Sequence, residues 1–328
     1  MEYEAVIGLE VHAQIHTQSK MFCACPVVED TGDLPPNTHV CPVCLALPGT
    51  LPVVNRRAIE LGILAGLALN CTINSVNVFA RKSYFYPDLP KGYQISQYDM
   101  PLCSHGCLEI ESDGEIKHVN ITRVHLEEDT AKLYRLEGSV GSGVKVDFNR
   151  AGIPLLEIVS EPDLHSVEDV RAYATTLHDI LVYLGINSGD MEKGVMRFEA
   201  NVSVRPKGSD ALETRVEIKN LNSFRALTRS VAYEIQRQIE ARHTGMSVIQ
   251  QTMGWDEVEE KTYPQRSKEY AHDYRYFPEP DIPPLNIAPA WIADIQAQVP
   301  ELPIAKRRRL VAEYDCLLYT SDAADEED

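Results

Sequence analysis

An α+β fold is what this sequence predicts, and three observations carry it. Apolar and polar residues alternate strictly over 4–12, over Met196–Pro206 and over 214–220, as a half-buried strand requires. Apolar residues recur at helical spacing over 56–70, 166–184 and 223–243. Between the first helix and the other two lies a strand-rich stretch, 118–159.

In the first strand Ala5, Ile7, Leu9 and Val11 share one face, while Glu10 and His12 occupy the other. A polar strand face is most often simply wet. Two further strands have the same construction, however. Met196, Phe198, Ala200, Val202 and Val204 oppose Arg197, Glu199, Asn201, Ser203 and Arg205; Val216 and Ile218 oppose Arg215, Glu217 and Lys219. Polar faces that carry both carboxylates and cations suit metal ions and phosphates together.

The segment 21–44 holds Cys23-Ala-Cys25 and, after a Pro-, Gly- and Asp-rich gap, Cys41-Pro-Val-Cys44. Two close pairs at this separation match a four-thiolate structural zinc site. Free buried thiols are the other reading, and the remaining cysteines lack a partner pattern. Residues 56–70 read as a core helix on Ile59, Ile63 and Leu67. The stretch 79–101, dense in Tyr, Pro and Gly, reads as an ordered loop. There Lys82 and Lys91 flank an aromatic run, a composition that holds a nucleotide or an RNA end as readily as it packs a loop.

Within the strand-rich stretch, Glu157 stands among Leu155, Leu156, Ile158 and Val159, a costly position unless a cation or several donors satisfy it. Glu127, Glu128 and Asp129 close another strand, as a solvated turn or as part of a cage of hard oxygens. The glycine-rich 138–143 lacks the following Lys and Ser/Thr of a P-loop, so a hairpin turn is expected. Ser166 and Asp169 form an acid variant of the capping box for the second helix, which stops at Gly185. The third helix carries Phe224, Leu227, Val231 and Ile235 on one stripe and reads as structural. A proline-rich binding loop is expected at 269–284, then short helices at 291–299 and 304–314, the latter with a basic run that reads as a solvated face. No internal repeat is visible.

With 328 residues the chain can bury one large core. Its formal charge is −18, and without the acidic segment 316–328 it is still near −13. That balance excludes nonspecific nucleic-acid binding by the chain as a whole and favours Mg²⁺. The N-terminus enters a strand directly, and no apolar run of about 18 residues occurs, so a cytoplasmic, soluble protein is expected.

Seven motifs in order then identify a family: VIGLEVHAQ, ARKSYFYPDLPKGYQISQYDMP, ITRVHLEED, VDFNRAGIPLLEIVSEPD, MRFEANVSVRP, EIKNLNSFRAL and HDYRYFPEPD. Over residues 1–314 the chain resembles the B-subunit family of aspartyl/glutamyl-tRNA(Asn/Gln) amidotransferases. The resemblance implies a ligase that uses ATP to phosphorylate the side-chain carboxylate of Glu-tRNA(Gln) or Asp-tRNA(Asn). Ammonia from glutamine then displaces the phosphate. It implies two partners in a heterotrimer, the amidase (the A subunit) and the small C subunit. It further implies a cradle-like antiparallel sheet with flanking helices, a glutamine-synthetase-like kinase core over 1–290 with a zinc insert at 21–44, and the start of a helical domain at 291–314.

Carried onto this chain, the family's Mg²⁺ site falls on His12, Glu128 and Glu157. Glu10, Glu199 and Glu217 surround a neighbouring ion, and Glu10, His12, Glu128 and Glu157 are the catalytic set. The imidazole of His12 makes Mn²⁺ an acceptable substitute. Lys82, Arg197 and Lys219 are the phosphate or carboxylate contacts, and Cys23, Cys25, Cys41 and Cys44 the Zn²⁺ ligands. After Tyr314 the sequence leaves the family pattern, so 315–328 is expected to be an atypical, disordered tail and tRNA binding to be weak. Two other readings stand beside this one. One is a non-catalytic, zinc-stabilised partner-binding fragment, and the other is the archaeal E-type relative, which shares the cradle.

Overall fold

The alternating N-terminal stretch becomes β1 (Tyr3–Gln14), in which Ile7, Leu9 and Val11 are wholly buried. The computed structural model describes residues 2–28, 34–136, 143–266 and 273–314. After the cysteine-bearing segment comes α1 (Arg56–Ala68), started by Asn55, whose side chain accepts hydrogen bonds from the Arg57 and Ala58 amides. Five strands follow: β2 (Thr72–Ile73), β3 (Val76–Asn77), β4 (Phe79–Ser83), β5 (Tyr93–Gln97) and β6 (Cys103–Ser112). The long β7 (Glu115–Glu128) leads to β8 (Lys132–Leu136), β9 (Gly143–Asp147) and β10 (Pro154–Ser160).

The second helix, α2 (Val167–Tyr183), is capped by Ser166, which accepts from the Asp169 amide. Asp169 itself accepts from the amide of His165, one residue ahead of the cap, and pairs with Lys117. Next are β11 (Met196–Pro206), β12 (Val216–Leu221) and the Ser223-capped α3 (Phe224–His243). The chain closes with β13 (Thr252–Asp256), β14 (Lys261–Arg266), β15 (Phe277–Pro278), β16 (Leu285–Asn286), α4 (Pro289–Gln296) and α5 (Pro303–Tyr314).

Nine strands form one sheet in the order β14-β13-β12-β11-β1-β10-β7-β6-β2, with β1 at its centre. Only the β12–β13 pair is parallel; the other neighbours run antiparallel. One face of the sheet is apolar. Leu9, Phe198, Val202, Leu126 and Ile158 pack there against Ile63 of α1, Tyr173 and Leu177 of α2 and Val231 of α3 in a single core. Each such side chain contributes roughly 1.5–3 kcal/mol on burial, which fixes which face each strand turns inward. Ile295 of α4 joins the same core, and Arg56 lies over the Trp291 ring at 5.1 Å.

The structure corrects one expectation and leaves another open. Residues 79–101 are not a loop throughout: β4 and β5 pair from Phe79↔Gln97 to Ser83↔Tyr93, and β15 adds a third strand. Pro87, Pro90 and Gly92 of that stretch lie in the connection between the strands and Pro101 beyond β5, where they do not interrupt the ladder. The glycine-rich turn expected at 138–143 lies almost entirely outside the described residues, as do 315–328 and the start of the 269–284 loop. The strands on either side of 137–142, β8 and β9, pair antiparallel. Among the described residues, no helix is long and apolar enough to cross a membrane.

Candidate functional site

Register assembles the opposite face of the sheet. On β1, His12 stands across from Glu157 of β10 on one side and Arg197 of β11 on the other, while Glu157 stands across from His125 of β7. Along the next row Glu10 faces Glu199. Side chains that share a face at these positions must meet. His12 Nε2 lies 3.2 Å from Glu157 Oε2 and 3.7 Å from Glu127 Oε1, and His125 Nε2 lies 3.4 Å from Glu157 Oε2. All four residues are buried.

His12, Glu127 and Glu157 each place a ligand atom within 4.8 Å of the others. Metal–oxygen distances of roughly 2.1 Å put neighbouring ligand atoms about 3 Å apart and opposed ones about 4.2 Å apart, so a small divalent ion fits this set. Electrostatics agree. Burial alone would lower the His12 pKa, but the hydrogen bond and charge of Glu157 outweigh it and hold the imidazole above its ordinary value. For His125, too, burial pulls down, and Glu157 and Glu127 raise the pKa to about 9. Burial works against the Glu157 carboxylate as well, yet His125 and His12 hold its pKa well below normal. The site thus stabilises positive charge strongly, as an ion-binding cage must. Both imidazoles have a buried Nδ1 with no hydrogen-bond partner.

The sequence expectation named Glu128 as the third ligand; the carboxylate that converges with His12 and Glu157 is instead that of Glu127. Adjacent strand residues point to opposite faces, so only one of the two can join His12. Glu128 instead meets Lys91 Nζ at 2.6 Å and accepts from the Ile95 amide at 3.0 Å. Glu127 accepts from Ser96 Oγ. The signal was present in the sequence: Val124 and Leu126 alternate with His125 and Glu127. His125 and Arg123, whose guanidinium lies 3.6 Å from Glu157, were missed for the same reason. Asp129 takes a hydrogen bond from Gln14 and lies 3.6 Å from Arg197; despite its burial, Arg150 and Arg197 bring its pKa to about 2.

Glu10, Glu199 and Glu217 form a second cluster within 4.8 Å. Lys219 bridges two of them, 2.7 Å from Glu199 and 3.0 Å from Glu217, and Asn201 donates to Glu10. Burial, with the charges of Glu157 and Glu199, raises the Glu10 pKa. Lys82, on β4, leans over the Tyr274 ring at 5.1 Å. Burial disfavours its charge, but Glu127, Tyr276 and Glu157 more than compensate and raise its pKa. Lys82 thus lies near Glu127 and Glu157, Arg197 beside Asp129, and Lys219 within the second acidic cluster.

Away from this face, Cys23, Cys25, Cys41 and Cys44 converge within 4.8 Å. The Cys41–Cys44 sulfur separation of 3.9 Å is close to the roughly 3.8 Å edge of a tetrahedron with Zn–S bonds of about 2.3 Å. The hydrogen bond from Cys23 brings the Cys44 thiol down to about 4, and the Cys41 amide donates to the same sulfur at 3.1 Å. The four residues thus fit a structural zinc ion.

The family model of the GatB/GatE catalytic domain matches residues 5–293. The chain is 57% identical over 327 residues to the B subunit of the aspartyl/glutamyl-tRNA(Asn/Gln) amidotransferase of Roseiflexus castenholzii, covering 100% of this chain and 67% of that protein. Its counterpart in Thermoanaerobacter pseudethanolicus is 54% identical over 314 residues, covering 96% and 65% respectively. That of Moorella thermoacetica is 56% identical over 311 residues, covering 95% and 65%. The chain spans about two thirds of the length of these relatives.

Proposed function

We propose, for a chain that belongs to the GatB/GatE catalytic-domain family, that it is the kinase and amide-forming part of a tRNA-dependent amidotransferase. Its substrates are then ATP and a tRNA misacylated with Glu or Asp, and its partners the amidase and the small third member of a cytoplasmic heterotrimer. The observation that carries the reading is the convergence of His12, Glu127 and Glu157 from three neighbouring strands, with His125 behind them. Included in the proposal are a cradle-like, glutamine-synthetase-like core over 1–290 and a helical domain starting at 291.

The chemistry sets the requirements. A side-chain carboxylate oxygen attacks the γ-phosphorus of ATP, the bond to ADP breaks, and an acyl phosphate forms. Ammonia then adds to the acyl carbon and phosphate leaves. The first step brings two anions together, so it needs positive charge at fixed positions. A Mg²⁺ or Mn²⁺ ion held by His12, Glu127 and Glu157, with a second near Glu10, Glu199 and Glu217, would neutralise phosphoryl oxygens. The chain's own part is to hold Arg197 and Lys219, each already paired with an acid, and Lys82, seated over the Tyr274 ring, around the acids before substrate arrives. Zinc at the four cysteines has a structural role in this reading.

Replacing His12 or Glu157 by Ala in the assembled full-length enzyme tests the proposal. Glutamyl- or aspartyl-tRNA-dependent ATP cleavage should fall by more than about 100-fold, while glutamine hydrolysis by the partner continues. Amide formation at the wild-type rate in either variant refutes it.

A further inference from the structure

The side chain of Lys20 is fully buried, yet among the described residues no carboxylate pairs with it. Its ammonium donates to the carbonyl of His39 at 2.9 Å and that of Phe148 at 3.4 Å, and its third neighbour is Cys44 Sγ at 3.8 Å. A buried cation is tolerated only where an opposite charge compensates it. Carbonyl dipoles offer part of that compensation. Among the described residues, the group within reach that can carry formal negative charge is the cysteine cluster, and four thiolates around one Zn²⁺ carry a net charge of −2.

We propose that Lys20 is the buried counter-charge of the tetrathiolate metal centre, a positioning residue that ties the centre to the sheet. The inference rests on reading the four cysteines as a zinc site, and not on the amidotransferase activity. Three acceptors surround an ammonium that has three N–H groups, so the side chain is fully committed. The ammonium and the Cys41 amide both approach Cys44 Sγ, an arrangement that stabilises a thiolate over a thiol. The backbone continues the link: the Met21 amide donates to Gly152, and the Gly152 amide donates to the carbonyl of Asp129. Gly152 has φ +86°, and a Cβ built there would stand 3.5 Å from Lys20 Cδ, so the lysine stem runs beside the Gly152 backbone. Zinc, Lys20 and the turn behind Asp129 therefore form one continuous support for the polar face.

The test measures zinc affinity by competition with a chromogenic chelator on the purified chain, with no substrate present. Lys20→Met should weaken zinc binding by about 10–100-fold, the range for groups that orient metal ligands from outside the coordination sphere. Lys20→Arg, which keeps the charge, should recover most of the loss. Wild-type affinity in Lys20→Met, equal loss in both variants, or an absence of zinc from the wild-type chain would each overturn the proposal. If Lys20→Met does not fold, Lys20→Gln measured in the same way decides. Because ATP turnover is not read, a failure of the proposed activity leaves this result intact, and the converse also holds.

Discussion

His12 Nε2 stands 3.2 Å from Glu157 Oε2 because β1 and β10 pair with these two residues directly opposite each other. The same face receives Glu127 from the next strand but one, and excludes Glu128 by the strand's alternation. Glu127→Ala should therefore lose divalent-ion binding by about 10-fold or more, whereas Glu128→Ala should retain ion affinity within about threefold. Mn²⁺ titration followed by electron paramagnetic resonance distinguishes the two. The reverse ranking would return the third ligand to Glu128.

A pH dependence follows from His125. Its folded pKa of about 9 lies above the ordinary value of 6.5, so the native state holds a proton that the unfolded chain releases. The resulting stability is fully present below about pH 6.5 and is lost as pH rises through about 9. Thermal unfolding of the metal-free chain across this window should show Tm falling. An ion at the cage competes with protons on His12 and His125, so Mn²⁺ affinity should rise over the same interval. A flat profile in both measurements counts against the charge balance described here.

How much of this was legible in the sequence depends on which rule governed each residue. Alternation correctly placed Leu9 and Val11 inward and Glu10 and His12 outward, because burial of one face determines the other. Helix ends were equally legible at Ser166 and Ser223, where a side-chain oxygen accepts from an amide of the first turn. Strand order was not, since nothing local shows that β1 inserts between β10 and β11. The meeting of His12 with Glu157 and Glu199 with Lys219 depends on that order and on register. The β4–β5 hairpin was hidden because its pairing depends on tertiary partners, including the contact of Ile95 and Ser96 with the end of β7. The choice between Glu127 and Glu128 was readable from β7 alone, had its alternation been followed to the strand's end.

For the cysteine cluster, Cys23→Ser or chelation should remove zinc and destabilise the chain. Binding energy at such a site is folding energy for the segment it closes, here the loop joining β1 to α1. A fall in Tm of more than about 5 °C is expected, corresponding to upwards of about 3 kcal/mol for a domain of this size. Differential scanning calorimetry with and without chelator measures it. An unchanged Tm, with zinc demonstrably removed, would show that the cluster does not support the fold.

The position of Lys219 leads to the sharpest contrast between stability and ion binding. Its ammonium pairs with both Glu199 and Glu217, and Glu10 completes the acidic cluster on the same face. In Lys219→Met three clustered carboxylates lose their only bridging cation among the described residues. Without metal the variant should be less stable by about 1–3 kcal/mol, a figure reduced for the lysine's partial exposure. Added Mn²⁺ should restore much of that loss, because a divalent ion supplies the missing charge where the ammonium stood, and its affinity for the Glu10–Glu199–Glu217 cluster should rise by about 10-fold. Thermal shift against Mn²⁺ concentration, compared with wild type, measures both effects. A variant whose Tm falls but does not respond to Mn²⁺ more strongly than wild type would show that the second cluster is a salt-bridge network and not an ion site.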